Sequence, residues 1–242
     1  MTYFVSDFHL GIDARLTSQE RERQIVRWLD QIKVNAEEIY LVGDVFDFWF
    51  EYKRAVPKGY VRLFGKLAEL RDSGIPIYFF IGNHDMWMFK YLDEELGIPI
   101  YHNPISKKIY GKQFYIGHGD GLGPKQEGFK ILRKVFHNKA FQWIFKRFHP
   151  NVSFAIANLW SKSSRNSKPS NPTFLGVEHE WLVAYCEMKQ KRAPHDFFVF
   201  GHRHLPLNID LNAQSKYINL GDWIKYYTYG VFDGEFMELK TY

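Results

Sequence analysis

The possible folds of this chain are constrained most by five short apolar runs. Each run is followed at once by serine or glycine and then by aspartate, asparagine or histidine. The runs lie at 3–5, 39–42, 77–81, 114–116 and 197–200. The sequences that follow them are SDFH, GDVFD, GNHD, GHGD and GHRH. Short apolar runs with turn residues at their ends are typical of buried strands. Helical patterns separate the first three runs, which predicts an α/β fold with a largely parallel sheet covered on both faces.

Local signals predict the elements between these strands. Thr17 and Glu20 form a capping-box pair that predicts the start of a helix. Apolar residues at helical spacing predict a second helix over 60–70 and a third over 86–96. Near the end of the chain, Asp233 and Gly234 separate two apolar runs, which predicts a hairpin of strands 228–232 and 235–239.

A basic, aromatic segment interrupts this pattern between positions 124 and 168. The whole chain carries a net charge of +5, but this segment has ten Lys or Arg and one acid, so it is +9 and the rest is −4. It also holds eight Phe or Trp. Such a segment suits nucleic acid, an anionic membrane or an anionic amphiphile. We expect 124–172 to be a helical insertion over the active face, and 1–123 with 173–242 to be the core.

The sequence has few features that would indicate a secreted or membrane-spanning protein. No apolar run reaches the roughly 20 residues that a membrane-spanning helix needs. The first residues lack the pattern of a signal peptide. The single cysteine, Cys186, excludes an internal disulfide, fits a reducing compartment and is expected to be a packed residue on a helix. We therefore predict a cytoplasmic protein.

Polar residues at the carboxyl ends of parallel strands converge on one crevice, where ligands bind in open α/β sheets. They combine carboxylate, amide and imidazole groups, which suit Mn²⁺, Fe or Zn²⁺ better than Mg²⁺ or Ca²⁺. Their number exceeds what one ion needs and suits two ions that share a carboxylate. In D-x-H and H-x-H, both side chains should leave an extended strand end on the same side. The candidate ligands are Asp7, His9, Asp44, Asn83, His118, His202 and His204.

The motifs DFH, GDVFD, GNHD, GHGD and GHRH, from Asp7 to His204, resemble those of the calcineurin-like metallophosphoesterases. The resemblance implies a β-sandwich flanked by helices, with two divalent metals at the strand ends, most consistently Mn²⁺, with Fe or Zn²⁺ as alternatives. It implies that Asp44 bridges both ions. One ion would take Asp7, His9, Asp44 and His204, and the other Asp44, Asn83, His118 and His202.

The resemblance also implies the catalytic groups. Water activated by both ions would attack phosphorus in line. His84, oriented by Asp85, would hydrogen-bond the phosphoryl oxygen or protonate the leaving group. Asp47 is expected to orient a ligand histidine or cap a turn.

Within this superfamily, the SDFHLG start, GDVFDFW and the helical insertion resemble the UDP-2,3-diacylglucosamine hydrolases. That resemblance implies cleavage of a lipid-linked pyrophosphate to UMP and a diacylglucosamine 1-phosphate, in lipid A biosynthesis at the cytoplasmic face of the inner membrane. The chain reads GNHD where one branch of that family reads GNRD. The residues then expected to contact substrate are Asn83, His84, Lys125, Phe129, Ser161, Lys162 and Arg165.

Two other functions stay open at the sequence level. One is a phosphodiesterase or phosphatase that acts on a soluble nucleotide or other phosphoester. The other is a nucleic-acid-binding protein that uses the basic segment, although its cations alternate with aromatic residues at helical spacing and do not form a simple stripe. We expect no nucleic acid and infer no obligate protein partner.

Overall fold

Two mixed sheets lie at the centre of the chain in the computed structural model, which describes residues 1–124, 126–156, 159 and 173–242, without the side chains of 129 and 132. The six-stranded sheet has the spatial order β11 (Met237–Thr241), β10 (Thr228–Phe232), β1 (Thr2–Val5), β2 (Glu38–Val42), β3 (Ile77–Phe80), β4 (Ile100–Tyr101). The five-stranded sheet has the order β5 (Ile105–Ile109), β6 (Lys112–Ile116), β7 (Phe197–Phe200), β9 (Ser215–Leu220), β8 (Pro206–Asn212).

Each sheet combines a parallel part with antiparallel strands, which lie at one edge of the six-stranded sheet and at both edges of the five-stranded sheet. Strands β1 to β4 run parallel to one another, and so do β6, β7 and β9. Strands β5, β8 and β10 pair antiparallel with their neighbours. The α/β class and the β-sandwich that the motifs imply are therefore confirmed. The first three predicted strands form a parallel sheet as expected, whereas the strands at 114–116 and 197–200 belong to the second sheet.

An aromatic layer lies between the sheets, as expected for a sandwich. Phe4 and Tyr40 of the first sheet are fully buried against residues of the second. The rings of Phe4 and Phe114 stack with centroids 5.6 Å apart. Offset-stacked rings at this distance contribute about 0.5–1.5 kcal/mol beyond the area that they bury. The layer fixes the two sheets face to face and so fixes the relative positions of their strand ends.

Six α-helices cover the outer faces in the described part of the chain: α1 (Ser18–Ile32), α2 (Val61–Asp72), α3 (Tyr91–Leu96), α4 (Glu127–His137), α5 (Lys139–Phe145) and α6 (Trp181–Arg192). Residues 150–156 are also helical. Helix α1 packs Ile25, Trp28 and Leu29 into the core, and the Thr17–Glu20 capping box is present as predicted. No helix among the described residues is long and apolar enough to cross a membrane.

Two predicted elements are displaced in the structure. The third helix begins at Tyr91 and not at Met86. The Glu51 carboxylate accepts hydrogen bonds from the backbone N–H groups of Phe89, Lys90 and Tyr91, so it organises the chain just before the helix. In the predicted hairpin, Phe232 pairs with Met237, so that the turn has four residues.

The basic segment is helical where it is described, and part of it packs on the core. Phe145 of α5 is 8% exposed and belongs to the large core cluster on the helix side of the six-stranded sheet. The Trp87 indole N–H donates to the carbonyl oxygen of Phe136 in α4 over 2.8 Å. Residues 125, 157, 158 and 160–172 lie outside the description, so the division into core and insertion stays a prediction.

Candidate dinuclear metal centre

The loops that follow strands of both sheets meet at one edge of the sandwich. Backbone hydrogen bonds connect these loops directly: Asp7 N–H donates to the carbonyl oxygen of Gly43, and His9 N–H donates to that of Asp44, each over 3.0 Å. In the other sheet, Gly201 N–H donates to His118 over 3.0 Å. The predicted convergence of distant motifs therefore occurs, with loops from the two sheets facing each other.

Two groups of potential metal ligands share one carboxylate. Asp7, His9, Asp44 and His204 offer donor atoms that all lie within 4.8 Å of one another. Asp44, His118 and His202 form a second group by the same measure. Asp44 therefore stands where a bridging ligand would, since it belongs to both groups.

The backbone is strained where these side chains leave it. Of the eight non-glycine residues with positive φ in the described part of the chain, five are candidate ligands: Asp7, His9, Asp44, His202 and His204. Such residues rarely adopt this conformation outside functional or tightly constrained positions. Each D-x-H or H-x-H pair thus converges through two left-handed residues. The expectation that an extended strand end would place them on one side is wrong.

Glycine is required beside the centre because other side chains occupy the space of a Cβ atom. A Cβ on Gly43 would lie 2.5 Å from Nδ1 of His118. A Cβ on Gly82 would lie 2.7 Å from the backbone nitrogen of Asp44. Both are closer than real carbon contacts allow, so these glycines let neighbouring loops approach closely.

Several buried donor and acceptor atoms point into this space without a hydrogen bond among the described residues. They are Oδ1 of Asp7, Oδ2 of Asp44, Oδ1 of Asn83 and Nε2 of His118. The Nε2 atoms of His9 and His204 also face each other over 3.2 Å. Buried polar atoms are nearly always hydrogen-bonded or bound to a metal, so these residues fit the two divalent ions that the motifs imply.

In two of these histidines, His118 and His9, the other ring nitrogen, Nδ1, contacts an oxygen atom of the protein. Nδ1 of His118 lies 2.9 Å from the carbonyl oxygen of Val42. Nδ1 of His9 lies 3.3 Å from Oδ1 of Asp47, as expected for an orienting carboxylate. Such partners fix the tautomer and rotation of a metal-binding histidine, leaving Nε2 free to bind.

Asp222 is a partner of this kind that sequence reasoning missed. Its Oδ2 lies 3.4 Å from Nδ1 of His204. A signal was present, because Gly221 and Asp222 follow the apolar end of β9 just as Gly43 and Asp44 follow β2. The signal was overlooked because this strand end carries no second metal-binding residue type.

The buried charges of the centre are strongly coupled. Burial alone would lower the pKa of His9 and His118, but the surrounding carboxylates raise the pKa of each to about 10. Burial would raise the pKa of Asp44, but the imidazoles of His118 and His84 hold that pKa well below its usual range. The carboxylates thus make a strongly cation-attracting site, in which divalent ions and protons compete for the same positions.

His84 and Asp85 lie at this centre but do not form the expected pair. The Asp85 carboxylate is fully buried and accepts hydrogen bonds from the backbone N–H groups of Gly82 and Val45 over 2.7 and 2.8 Å. It therefore braces the two loops that carry Asn83 and Asp44. Nδ1 of His84 lies 2.9 Å from the carbonyl oxygen of Asp47, which makes Asp47 the residue that orients the ring. These contacts differ from the prediction that Asp85 orients His84.

An apolar cavity of about 370 Å³ opens beside His84 and Asn83. Its other walls include Trp87 from the core and Phe141 and Phe145 from α5. The remaining predicted substrate contacts cannot be placed in this cavity. Lys125, Ser161, Lys162 and Arg165 lie outside the described residues, and Phe129 is described only as part of the α4 backbone.

Known proteins match this chain along most of its length. A curated protein of Porphyromonas gingivalis strain W83, named UDP-2,3-diacylglucosamine hydrolase, is 36% identical over 99% of this chain and 96% of its own. A Vibrio vulnificus strain CMCP6 protein of the same name is 34% identical over 92% and 89%. Among solved structures, the E. coli phosphoesterase Yfce matches with 16% identity and a TM-score of 0.48, covering 99% of this chain and 92% of that one.

The family profile described as calcineurin-like phosphoesterase matches residues 2–206, a range that contains all five motifs and every candidate ligand. The resemblance found in the motifs is thereby confirmed, and with it the expectation of a metal-dependent hydrolase. The chain belongs to the calcineurin-like phosphoesterase family.

Proposed function

We propose that this protein hydrolyses the pyrophosphate of UDP-2,3-diacylglucosamine to UMP and 2,3-diacylglucosamine 1-phosphate, a step of lipid A biosynthesis. The observation that carries the proposal is the junction of two chemically different spaces at Asn83 and His84. On one side lie two groups of candidate metal ligands that share Asp44. On the other lies a cavity walled mainly by aromatic rings. A substrate that joins a pyrophosphate to acyl chains needs both.

In this proposal the candidate ligands divide as the motifs imply. Asp7, His9, Asp44 and His204 hold one ion, and the second ion is held by Asp44 with Asn83, His118 and His202. Two divalent ions would activate water and stabilise the negative charge that develops on the phosphoryl oxygens. The mixture of carboxylate, amide and imidazole groups favours Mn²⁺, with Fe or Zn²⁺ as alternatives.

His84 acts on the phosphate in this proposal and not on the metals. Its ring is 9% exposed and borders the aromatic cavity, and its Nδ1 is engaged by Asp47. Because a carbonyl oxygen can only accept, Nδ1 of His84 carries a proton, so Nε2 donates to a phosphoryl oxygen or to the leaving group only when the ring is protonated. Burial lowers the pKa of His84, although Asp44 opposes that shift. Asp85 contributes by holding the loop that carries His84.

The aromatic cavity is the proposed site of the acyl chains. Its lining is formed by Trp87, Met86 and Phe48 of the core and by Phe141, Phe145 and Phe148 of the insertion. Each methylene group buried there contributes about 0.8 kcal/mol. Burial of even part of one acyl chain would therefore raise the affinity for the substrate several-fold. Because the insertion forms half of the walls, acyl recognition depends on how it docks.

The outer surface of the insertion supports association with an anionic membrane. Ile131, Trp143 and Ile144 are more than half exposed. Lys134, Lys139 and Lys146 are exposed on the same segment. Apolar side chains that insert between lipid tails, together with cations facing anionic headgroups, are the features of peripheral membrane surfaces. We therefore propose a cytoplasmic protein that binds the inner membrane peripherally and reaches its lipid-linked substrate there.

The decisive experiment compares substrates with the full-length protein and Mn²⁺. UMP release from UDP-2,3-diacylglucosamine is measured against release from the same sugar nucleotide without acyl groups and against cleavage of bis(p-nitrophenyl) phosphate. We expect kcat/KM to fall at least about 10-fold when the acyl groups are removed. Phe141→Ala should reduce this difference, whereas Phe236→Ala, on an exposed hairpin turn, should not. Equal kcat/KM for all three substrates would favour a soluble phosphoester.

The same preparation tests the nucleic-acid hypothesis. If the basic insertion binds nucleic acid, affinity for a DNA or RNA duplex should fall steeply with salt, and a competing diacyl lipid should have no effect. We expect the protein to bind the duplex weakly and the diacyl lipid to displace the duplex, because apolar and basic side chains alternate on this surface.

A further inference from the structure

A second, larger space reaches Asp47 beside the metal centre and shares Phe48 with the aromatic cavity. It is a cleft of about 1120 Å³ between the start of α1, the loop before α2 and the helical residues 150–155. We propose that this cleft binds the nucleoside monophosphate half of the substrate, so that the bond to be cleaved lies where the two spaces meet. The inference rests on the proposed function and assigns the part of the substrate that the aromatic cavity does not accommodate.

The two spaces meet at consecutive residues, Asp47 and Phe48. Phe48 lines both the cleft and the aromatic cavity, so its ring forms the boundary between them. Asp47 lines the cleft, and its carboxylate lies 3.3 Å from Nδ1 of His9 and 3.5 Å from Nδ1 of His84. A molecule that passes this boundary therefore has one part in each space and its middle at the metal centre.

The lining of the cleft differs chemically from that of the aromatic cavity. Lys58 and Arg62 supply cations, and Gln19 and Asn151 supply side-chain amides. Amide groups can pair with the carbonyl and N–H groups of a pyrimidine base, and cations attract phosphate. The aromatic cavity offers few such groups. An acyl chain would therefore bind in the aromatic cavity and a nucleotide in the cleft.

Two acids of the cleft accept backbone hydrogen bonds, and Oε2 of Glu22 also lies 3.8 Å from Nη1 of Arg62, which leaves Lys58 as the cation of the lining to act on a ligand. Asp13 accepts a hydrogen bond from the backbone N–H of Ser18 over 2.8 Å. Glu22 accepts one from the backbone N–H of Arg62 over 2.9 Å. The Lys58 ammonium, in contrast, has no hydrogen bond or ion pair within the described ranges and is exposed at the cleft wall. Lys58 is therefore the cation best placed to meet an incoming phosphate or nucleoside.

The two spaces would also separate the two products. A nucleoside monophosphate would leave through the cleft beside α1, while the diacyl sugar phosphate would stay against the aromatic walls of the insertion. UMP should therefore compete with substrate at the cleft without occupying the aromatic cavity.

The test measures UMP binding directly by titration calorimetry and as inhibition of turnover. Lys58→Ala and Asn151→Ala remove one cation and one amide from the cleft. Lys53→Ala, an exposed lysine of the same loop outside the cleft, is the matched control. Because Lys58→Ala removes a hydrogen bond to a charged group, we expect it to raise the Kd of UMP at least about 10-fold. Lys53→Ala should bind UMP as the wild type does.

The outcomes distinguish this inference from the proposed function. If the wild type hydrolyses UDP-2,3-diacylglucosamine while neither cleft variant weakens UMP binding, the cleft assignment is overturned and the function stands. If the wild type does not hydrolyse that substrate but binds UMP in a manner that depends on Lys58, the function is overturned and the cleft is a nucleotide site. If UMP does not bind the wild type, the inference fails whatever the activity. Equal thermal unfolding midpoints establish that the variants remain folded.

Discussion

His84 occupies the boundary between the metal centre and the aromatic cavity, where its role can be separated from that of the ligands. We expect His84→Ala to lower kcat by about 10²–10⁴-fold, the usual contribution of a general acid or base, with metal content unchanged. The measurement combines steady-state kinetics with metal analysis of the purified protein. His179→Ala, at an exposed position away from the motifs, serves as control.

A different result would reassign His84. Its ring also belongs to a third group of nearby donor atoms, with His9 and Asp47. Loss of one metal equivalent in His84→Ala would therefore make it a ligand, and the proposed action on the phosphate would be wrong.

Asp222 offers a test of positioning as opposed to catalysis. Its Oδ1 accepts backbone hydrogen bonds from residues 224–226, and its Oδ2 faces Nδ1 of His204. Asn in its place keeps the oxygen for the turn but presents an N–H₂ group to a ring nitrogen that must itself donate. We expect Asp222→Asn to weaken metal affinity about 10–100-fold, with kcat restored when the metal is saturating.

The control for this variant is Asp233→Asn, because Asp233 also accepts backbone hydrogen bonds in a turn but lies outside the two donor groups. Metal titrations of activity give the affinities. A kcat that stays low in Asp222→Asn at saturating metal would mean that Asp222 does more than orient His204.

At the scale of single residues, the sequence could predict which residues form the centre better than it could predict their backbone conformation and contacts. The motifs contain all the residues of the two donor groups that share Asp44, because each follows a strand that apolar patterning reveals. The left-handed backbone at Asp7 and His9 was not predictable, since it depends on hydrogen bonds to a neighbouring loop. For the same reason the pairing of His84 with Asp47 was missed, because residues 37 apart meet only in the folded chain.

At the scale of elements, the strands of the core were predicted well and the boundaries near the active site were not. Apolar runs such as 39–42 and 197–200 coincide with β2 and β7 to within one residue. The start of α3 was wrong because Glu51, distant in sequence, supplies acceptors for three N–H groups before the helix. Tertiary contacts of this kind override the local helical pattern of Met86 to Lys90.

Trp87, in that irregular segment, connects the core to helices α4 and α5 of the predicted insertion. Its ring lies 4.6 Å from that of Phe145 and 5.2 Å from that of Phe136. Its N–H also donates to the Phe136 carbonyl oxygen. We expect Trp87→Ala to undock the insertion, with a loss of about 3–5 kcal/mol of packing free energy. Limited proteolysis should then cut at the lysines and arginines of the insertion.

Trp87→Phe separates packing from the hydrogen bond. It keeps an aromatic ring and should lose about 0.5–1.5 kcal/mol with the N–H donor, so the insertion should stay resistant to protease. Equal protease sensitivity of the two variants would contradict the view that Trp87 packing holds the insertion on the core.

At the scale of the whole molecule, the candidate ligands come from both sheets. Asp7 and Asp44 follow strands of the six-stranded sheet, whereas His118 and His202 follow strands of the five-stranded sheet. The pattern of apolar runs predicted that the strand ends converge but not that the strands divide between two sheets, because periodicity carries no information on which strands pair. The two-sheet arrangement came only from the resemblance of the motifs to a known family.

A centre built from both sheets should link them, so metal should stabilise the whole fold. At free Mn²⁺ of 100 times its Kd, the free energy of unfolding rises by about 2.7 kcal/mol. For a chain of this size, 1 kcal/mol corresponds to about 2–4 °C, so Tm should rise by about 5–11 °C and fall back when EDTA is added.

Asp44→Asn identifies the source of this stabilisation, because Asp44 is shared by both donor groups. The variant keeps an oxygen that can accept the 2.8 Å hydrogen bond from His84 N–H, but loses the charge that faces His9 and His118. Its Tm should respond little to Mn²⁺, and hydrolysis should fall by more than about 100-fold, beyond the usual effect of losing a supporting partner. Asp72→Asn, which changes an exposed carboxylate, should behave as the wild type. An unchanged Mn²⁺ response in Asp44→Asn would place the stabilising ions elsewhere and contradict the shared-carboxylate centre.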